Sequence, residues 1–210
     1  MNLSNNITQP TSKSEYWERF YQLGEIDWDI GRPTPVFDEW IKTCKKPLSI
    51  CIMGAGNGWD AINFARKGHL VTAVDFAESA ANNIKLTAEQ NNLEINILHM
   101  DIFDLNKIYS NYFDIILEYT CYCAIDPSRR RDYLKMAYHI LKFNGKLVGM
   151  LFPTDKDPLD ESGPPFAVHP EMTIKLISEY FTLIKQEIPL CSIKSRTDRE
   201  IFIIFKKNGI

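Results

Sequence analysis

The chain has 210 residues, of which 45% are hydrophobic and 24% are charged, and its 24 basic and 27 acidic side chains leave a formal net charge of −3. This composition is typical of a globular domain and excludes the disordered and fibrous classes. A slightly acidic chain is poorly suited to hold a polyanion, and no apolar run reaches the roughly 18 residues of a membrane-spanning helix. We therefore expect a single domain over residues 1–210 with neither nucleic acid nor membrane as a partner.

The first residues and the cysteines indicate the cellular compartment. Residues 1–14 are polar and lack the apolar centre of a secretory signal, so we expect a mobile tail there. The five cysteines include no C-x-x-C pair, which gives no support to a metal site or to redox chemistry. Free thiols are typical of a reducing cytoplasm, and a chain of this length can bury a core as a monomer. We expect a cytoplasmic monomer without a metal.

Short apolar runs alternate with helical patterns along most of the chain. The apolar runs predict strands at residues 48–53, 70–75, 95–100, 113–118 and 146–152. Helical periodicity predicts helices at residues 59–67, 78–91 and 128–143. The dipeptide Asn144-Gly145 is a typical stop for the last of these helices. Continuous apolar runs indicate strands buried on both faces, and their alternation with helices indicates a doubly wound parallel sheet.

The end of the chain departs from this alternation. After a predicted helix at residues 171–181, two strand-like segments at 182–193 and 200–206 are separated by residues 194–199 alone. That connection is too short for a parallel crossover, so the last two strands should form an antiparallel hairpin. The predicted fold class is α/β, with a doubly wound, mostly parallel, seven-stranded Rossmann-like sheet and an antiparallel C-terminal hairpin. This arrangement is associated with class I methyltransferases.

A glycine-rich loop follows the first predicted strand. Gly54, Gly56 and Gly58 form a G-x-G-x-G pattern that opens a helix. Glycines here allow a tight turn and bring a ligand close to the backbone and to the helix N-terminus. Trp59 stands where the dinucleotide pattern G-x-G-x-x-G needs its last glycine, which disfavours an NAD-dependent oxidoreductase.

Acidic residues end the next two predicted strands. Asp75 is placed to accept the two hydroxyls of a ribose, and Asp101 to accept an adenine amino group while Ile102 covers the ring. The carboxyl ends of parallel strands meet at the edge where open α/β sheets bind ligands. An adenosine ligand without a pyrophosphate fits this pattern. We therefore predict S-adenosyl-L-methionine as the cofactor and S-adenosyl-L-homocysteine as its product.

From about Trp17 to its C-terminus the chain resembles the thiopurine S-methyltransferase superfamily, and within it the thiol and halide methyltransferases. Residues 17–35 read W-x3-Y-x6-W-D-x-G-R-x-T-P, similar to a family segment that forms a lid over the cofactor. The resemblance implies lid helices over residues 15–45, with Trp17, Tyr21 and Trp28 beside the cofactor. Tyr21 replaces a family tryptophan but keeps an aromatic face, which attracts a sulfonium cation.

Two further segments carry the resemblance. Residues 118–130 are similar to an acidic-aromatic strand end followed by F-C-A-I-x-P-x-x-R. This implies that Glu118 and Tyr119 lie beside the methionine part of the cofactor and that Arg130 lies near the methyl acceptor. In the G-P-P-F sequence, Phe166 stands where the family has a tyrosine facing the acceptor, which indicates a more apolar pocket.

The resemblance implies methyl transfer to a small soft nucleophile. We expect a thiol as the acceptor, with a thiopurine, thiocyanate, a halide or a selenium species as the other candidates. Such nucleophiles arrive ionised or nearly so, so orientation and desolvation matter more than a general base, and no catalytic residue is assigned. A non-catalytic S-adenosylmethionine-binding module and a methyltransferase for another small molecule remain open. A nucleic-acid methyltransferase is disfavoured because Glu118-Tyr119-Thr120-Cys121 replaces the expected N/D-P-P-Y/F.

Overall fold

The computed structural model describes residues 10–157 and 159–209. The strands are β1 (Ser49–Met53), β2 (Leu70–Asp75), β3 (Asn96–His99), β4 (Phe113–Tyr119), β5 (Leu141–Leu151), β6 (Phe181–Glu187) and β7 (Ile201–Lys207). The α-helices are α1 (Ser14–Leu23), α2 (Pro35–Ile41), α3 (Trp59–Arg66), α4 (Glu78–Gln90), α5 (Arg130–Ile140) and α6 (Pro170–Ile177).

The seven strands form one sheet in the order β3-β2-β1-β4-β5-β7-β6. Strands β1 to β5 pair in parallel, whereas β7 is antiparallel to both β5 and β6. The predicted α/β fold class and its terminal antiparallel hairpin are therefore confirmed. The hairpin folds back so that its second strand, β7, lies between β5 and β6.

Helices cover both faces of the sheet. Along β1, Ile50 and Ile52 join one buried cluster with α2, α3 and α4, while Cys51 and Met53 join the other with α5 and α6. Successive strand side chains point to opposite faces, so a strand covered on both sides reads as an unbroken apolar run. This is the physical reason that the continuous runs in the sequence predicted the strands.

The predicted helix at 128–143 extends too far. Helix α5 ends at Ile140, and Leu141 already has extended dihedral angles and pairs with Phe113 of β4. Asn144, with a φ of +63°, lies in a bulge within β5 rather than at a helix terminus. Leu141 is apolar and buried, which is compatible with a helix or with a strand. Its pairing with Phe113 of β4 makes it a strand residue.

The predicted strand at 182–193 also extends too far. Strand β6 ends at Glu187, which pairs with Phe202, and a longer loop leads to β7. Pro189 lacks the backbone N–H that a strand interior requires. The loop contains a short 3₁₀ turn, Lys194–Arg196, in which Arg196 is buried.

The predicted lid over residues 15–45 divides into two parts. Helix α2 packs into the core, where Phe37 is fully buried. Helix α1 has no fully buried residue and ends at Gly24, whose φ of +69° is left-handed. We call residues 14–34 the lid. The predicted tail over residues 1–14 lies mostly outside the described residues.

Candidate active site

A cavity opens at the carboxyl ends of β1 to β4. We call it the central cavity. It lies at the point where the chain order places β2 on one side of β1 and β4 on the other, which is where open α/β sheets bind ligands. Eight residues predicted to bind the cofactor line it: Trp17, Tyr21, Trp28, Gly54, Gly56, Asp75, Asp101 and Ile102.

The glycine-rich loop forms the floor of the central cavity. A Cβ atom at Gly54 would lie 3.0 Å from the Cβ of Cys121, at a backbone φ of +62°. Gly58 does not line the cavity; a Cβ there would lie 2.6 Å from Ile84 of α4. Its role in this structure is therefore close packing of the helix start against α4. Trp59 points away from the cavity, and its indole N–H donates to Asp29 at 2.8 Å.

Asp75 ends β2 and lies in the cavity wall with 8% of its surface exposed. One carboxylate oxygen accepts the backbone N–H of Gly56 at 2.8 Å, and the other accepts that of Ala77 at 2.9 Å. Each oxygen has a second lone pair for a ligand hydroxyl. Burial raises the pKa of Asp75 to about 6, because the low-dielectric wall disfavours the charged form. Asp75 therefore shapes the glycine-rich loop as well as facing the cavity.

The next part of the wall follows β3. The Asp101 carboxylate accepts the backbone N–H of Phe103 at 3.0 Å, and Ile102 is 7% exposed. Phe103 also lines the cavity, and the Arg129 guanidinium lies 3.7 Å from the centre of its ring. Sequence reasoning assigned neither Phe103 nor Arg129 to the site. The position of Phe103 directly after Ile102 was the one available signal.

The lid closes the cavity with aromatic rings. The Trp28 ring centre lies 5.8 Å from that of Trp17, 5.6 Å from that of Phe20 and 5.9 Å from that of Tyr21, all edge to face. Such pairs hold one another in place beyond simple area burial. Burial, with the nearby Asp75 carboxylate as a smaller cause, raises the pKa of the Tyr21 hydroxyl well above its usual range. The hydroxyl therefore stays protonated in the wall.

Polar contacts fasten the lid to the sheet. Glu18 on α1 accepts the backbone N–H of Ser79 at 2.9 Å, at the start of α4. Asp29 accepts hydrogen bonds from Asn57 and Trp59 next to the glycine-rich loop. The adjacent residues Trp28 and Asp29 of the W-D-x-G-R segment thus have separate roles. Trp28 lines the cavity, and Asp29 anchors the lid. The anchoring role was not apparent from sequence.

Two residues predicted beside the methionine part of the cofactor do not line the central cavity. Glu118 is 4% exposed and turns inward, where its carboxylate accepts the backbone N–H of Tyr122 at 2.6 Å. Burial raises the pKa of Glu118 to about 7. Tyr119 lines a smaller side cavity across the glycine-rich loop, and its hydroxyl donates to Glu200 at 2.9 Å. In this structure Glu118 therefore supports the loop after β4 from below.

The predicted acceptor residues line a neighbouring outer cavity. Arg130 and Phe166 lie in it with Tyr122, and Asp126 lines both this cavity and the central one. The Arg130 guanidinium lies 4.7 Å from the Tyr122 ring centre, and its buried Nε and Nη2 atoms have no hydrogen-bond partner among the described residues. The Phe166 backbone N–H donates to the Cys123 carbonyl at 2.7 Å. This bond fixes the loop that carries the ring.

Within residues 10–157 and 159–209, no three His, Cys, Asp or Glu side chains cluster as a metal site would require. None of the helices described above combines the length and the apolar character needed to cross a membrane.

Comparison with known proteins agrees with this geometry. Residues 12–189 match the thiopurine S-methyltransferase family. The chain is similar to the probable thiol methyltransferase 2 of Arabidopsis thaliana, at 27% identity over 179 residues that cover 82% of this chain and 77% of the relative. It is also similar to thiocyanate methyltransferase 1 of Brassica oleracea, at 30% identity over 156 residues covering 72% of this chain and 66% of the relative.

The fold is shared with a solved structure of the 1,6-didemethyltoxoflavin-N1-methyltransferase of Burkholderia thailandensis, which contains 1,6-didemethyltoxoflavin and S-adenosylhomocysteine. The two chains superpose with a TM-score of 0.73 at 20% identity, covering 93% of this chain and 87% of the other. The family match runs from the residues before the lid to the loop after β6. The chain therefore belongs to the thiopurine S-methyltransferase family and is an S-adenosylmethionine-dependent methyltransferase.

Proposed function

We propose that this methyltransferase transfers the methyl group to a small soft nucleophile, with organic thiols as its preferred acceptors. The observation that carries the proposal is the central cavity, which joins an aromatic lid, a glycine-rich floor and the Asp75 carboxylate, beside an outer cavity containing Phe166. The names of the thiol and thiocyanate methyltransferases to which the chain is similar support this class of acceptor. We further propose a cytoplasmic monomer that acts on a small molecule and not on nucleic acid.

The residues of the central cavity fit S-adenosylmethionine. Asp75 would accept the ribose hydroxyls, and Asp101 with Ile102 would hold the adenine. A Cβ at Gly54 would lie 3.0 Å from the Cβ of Cys121, so the glycine allows the loop after β1 to pack closely against Cys121 in the cavity wall. Trp17, Tyr21 and Trp28 would face the sulfonium, which rings attract through their negative faces. When bound, the cofactor supplies an electrophilic methyl group on a positively charged sulfur.

The chain contributes orientation and exclusion of water to the reaction. Trp17, Tyr21 and Trp28 of the lid form part of the cavity wall, and Glu118 holds the loop after β4 from beneath. Cys121 lines the cavity, where burial and the neighbouring Glu118 and Asp75 carboxylates raise the pKa of its thiol well above its usual value. The protein's own cysteine is therefore kept as a poorly nucleophilic thiol. An acceptor that enters as a thiolate needs no general base from the chain.

The outer cavity supports an apolar acceptor. Phe166 contributes a ring and no hydroxyl donor, so a small hydrated anion would depend on Arg130 to offset its desolvation, whereas a thiol also gains contact with the rings of Phe166 and Tyr122. We expect organic thiols to exceed chloride and bromide in kcat/KM by at least about tenfold, equivalent to about 1.4 kcal/mol of differential transition-state binding. Labelled S-adenosylmethionine, with thiophenol, thiocyanate, iodide, bromide and chloride as acceptors, measures the order. A preference for chloride or bromide would contradict the apolar pocket.

A hydroxyl restored at position 166 should change that order. The Phe166→Tyr variant adds a donor in the outer cavity, so we expect the ratio of thiol to halide kcat/KM to fall several-fold. Phe143→Tyr is the matched control, because Phe143 is 68% exposed and lies far along β5 from this cavity. An unchanged ratio in Phe166→Tyr, with normal cofactor affinity, would remove Phe166 from the acceptor site.

The buried Asp75 predicts a pH dependence of cofactor binding. Its pKa of about 6 means that it is protonated below that pH in the ligand-free protein, whereas ribose hydroxyls need the carboxylate as an acceptor. The dissociation constant of S-adenosylhomocysteine should be constant above about pH 7 and rise as the pH falls through 6, approaching tenfold per unit. Calorimetry from pH 5 to 8 measures this. Asp75→Asn should lose the dependence; an equal slope in that variant would assign it to another group.

Two alternatives are tested by the same assays. A non-catalytic binding module would bind S-adenosylhomocysteine but would transfer no methyl group to any acceptor in the series. A methyltransferase for another small molecule would bind the cofactor and leave thiols and halides unmodified. The outer cavity favours a catalyst over a binding module, because it places Arg130, whose buried Nε and Nη2 have no hydrogen-bond partner among the described residues, beside the central cavity.

A further inference from the structure

Arg196 lies in the loop between β6 and β7, yet it is only 4% exposed. Its guanidinium carbon is 4.7 Å from the ring centre of Tyr119, at the end of β4, and 4.8 Å from that of Phe152, just after β5. Burying a guanidinium costs free energy that stacking on two rings only partly offsets. A loop arginine in this position therefore calls for a polar partner.

That partner is the backbone of the lid. The Nη2 atom of Arg196 donates to the carbonyl oxygen of Trp28 at 2.7 Å. The Nη1 atom is buried and has no partner in the described part of the chain. Glu200, 2% exposed, accepts a hydrogen bond from Tyr119 and adds a negative charge to the same region. Among the described residues, the guanidinium therefore stacks on the rings of Tyr119 and Phe152, at the carboxyl ends of β4 and β5, and donates to the Trp28 carbonyl of the lid.

Trp28 is the centre of the lid's aromatic cluster. Its ring meets Trp17 and Tyr21 edge to face and lines both the central and the side cavity. The next residue, Asp29, is bonded to the glycine-rich loop. The carbonyl that accepts from Arg196 therefore belongs to Trp28, whose ring lines the cavity, and it directly precedes Asp29, which anchors the lid.

We propose that Arg196 is a positioning residue that holds the lid closed over the central cavity through the Trp28 carbonyl. It links the C-terminal hairpin loop to a segment 168 residues earlier in the chain. The planar guanidinium can stack between two rings and still donate from its edge, which a lysine ammonium cannot do. The effect on cofactor affinity rests on the proposed function of the central cavity; the effect on the lid itself does not.

Hydrogen exchange in the ligand-free protein tests the lid directly. In the wild type, the Gly24, Glu25 and Asp29 amides donate to the Tyr21, Phe20 and Ile26 carbonyls at 3.2, 3.0 and 2.8 Å, so a peptide over residues 24–32 should show protection from these amides. Arg196→Met keeps an apolar stem and removes the donor, and we expect exchange in residues 24–32 to accelerate at least tenfold while β1 and β4 stay protected. Arg199→Met is the matched control, because Arg199 is in the same loop and pairs with the exposed Asp155.

Cofactor affinity gives the second readout. Arg196→Met should raise the dissociation constant of S-adenosylhomocysteine at least tenfold, Arg196→Lys should raise it as well because an ammonium cannot stack and donate together, and Arg199→Met should stay within twofold of the wild type. If the wild type binds no S-adenosylhomocysteine, the proposed function fails and the exchange result still decides on Arg196. A folded Arg196→Met with wild-type lid exchange would overturn the inference. If Arg196→Met does not fold, lid exchange in Arg196→Lys decides in the same way. If neither variant folds, Arg196 is a general core residue, and a role confined to the lid is overturned.

Discussion

Replacing Asp75 with alanine is expected to weaken S-adenosylhomocysteine binding by about 30- to 700-fold, which corresponds to about 2–4 kcal/mol. The carboxylate faces the central cavity and also accepts the backbone N–H of Gly56, so the substitution removes ligand contacts and loosens the glycine-rich loop together. Calorimetric titration above pH 7 measures the loss. Asp132→Ala, on an exposed ion pair of α5, should bind normally.

The two effects of Asp75 can be separated with a ligand that lacks one ribose hydroxyl. The wild type should bind the 2′-deoxy analogue of S-adenosylhomocysteine more weakly than the parent ligand. In Asp75→Asn the two ligands should bind more nearly alike, because the variant has already lost the charged acceptor. Equal discrimination in both proteins would mean that Asp75 only shapes the loop and that another group holds the ribose.

Removing residues 1–30 is expected to reduce kcat/KM by at least about 1000-fold, equivalent to about 4 kcal/mol, while the sheet remains folded. The deletion takes away Trp17, Tyr21 and Trp28 from the wall of the central cavity. It leaves Thr34, which donates from its backbone and its hydroxyl to Asp60 at 2.8 and 2.7 Å, so α2 should stay attached. Turnover assays with circular dichroism measure both consequences.

A point variant provides a milder form of the same test. Trp28→Ala should lower activity and cofactor affinity together, because the Trp17 and Tyr21 rings lose the side chain against which they pack. Leu23→Ala is the control on α1, since Leu23 is 41% exposed and does not line the cavity. Full turnover by the truncated chain would show that the lid is not part of the working site.

The order of strands and helices could be read from the sequence because each depends on local periodicity. Ile50 to Met53 form an unbroken apolar run since both faces of β1 are covered, and Ile115 to Leu117 form one in the middle of β4. The ends of elements were less predictable. Leu141 is buried as a strand residue beside Phe113, although its position after α5 also continues the helical pattern. Pairing with a residue far away in the chain determines such boundaries.

The glycine-rich loop, Asp75, Asp101 and Ile102 were also readable from the sequence, because the ends of parallel strands reach one edge of the sheet whatever the details of packing. The inward turn of Glu118 was not readable. Its carboxylate satisfies a backbone N–H in the loop that follows β4, and a positive φ of 61° at Thr120 takes the chain away from the strand direction. A local pattern contains no information on which side such a loop turns.

What the sequence by itself determined is the parallel sheet, its terminal hairpin and the sheet edge at which the central cavity opens, since these follow from periodicity and chain direction. Only the tertiary structure decided that Arg130 and Phe166 line an outer cavity, that Asp29 anchors the lid and that Arg196 reaches Trp28. Each of these depends on contacts between segments distant in the chain. The physical reason is that burial of a charged side chain depends on which rings and carbonyls the fold brings around it, and neighbouring residues in the sequence do not specify those.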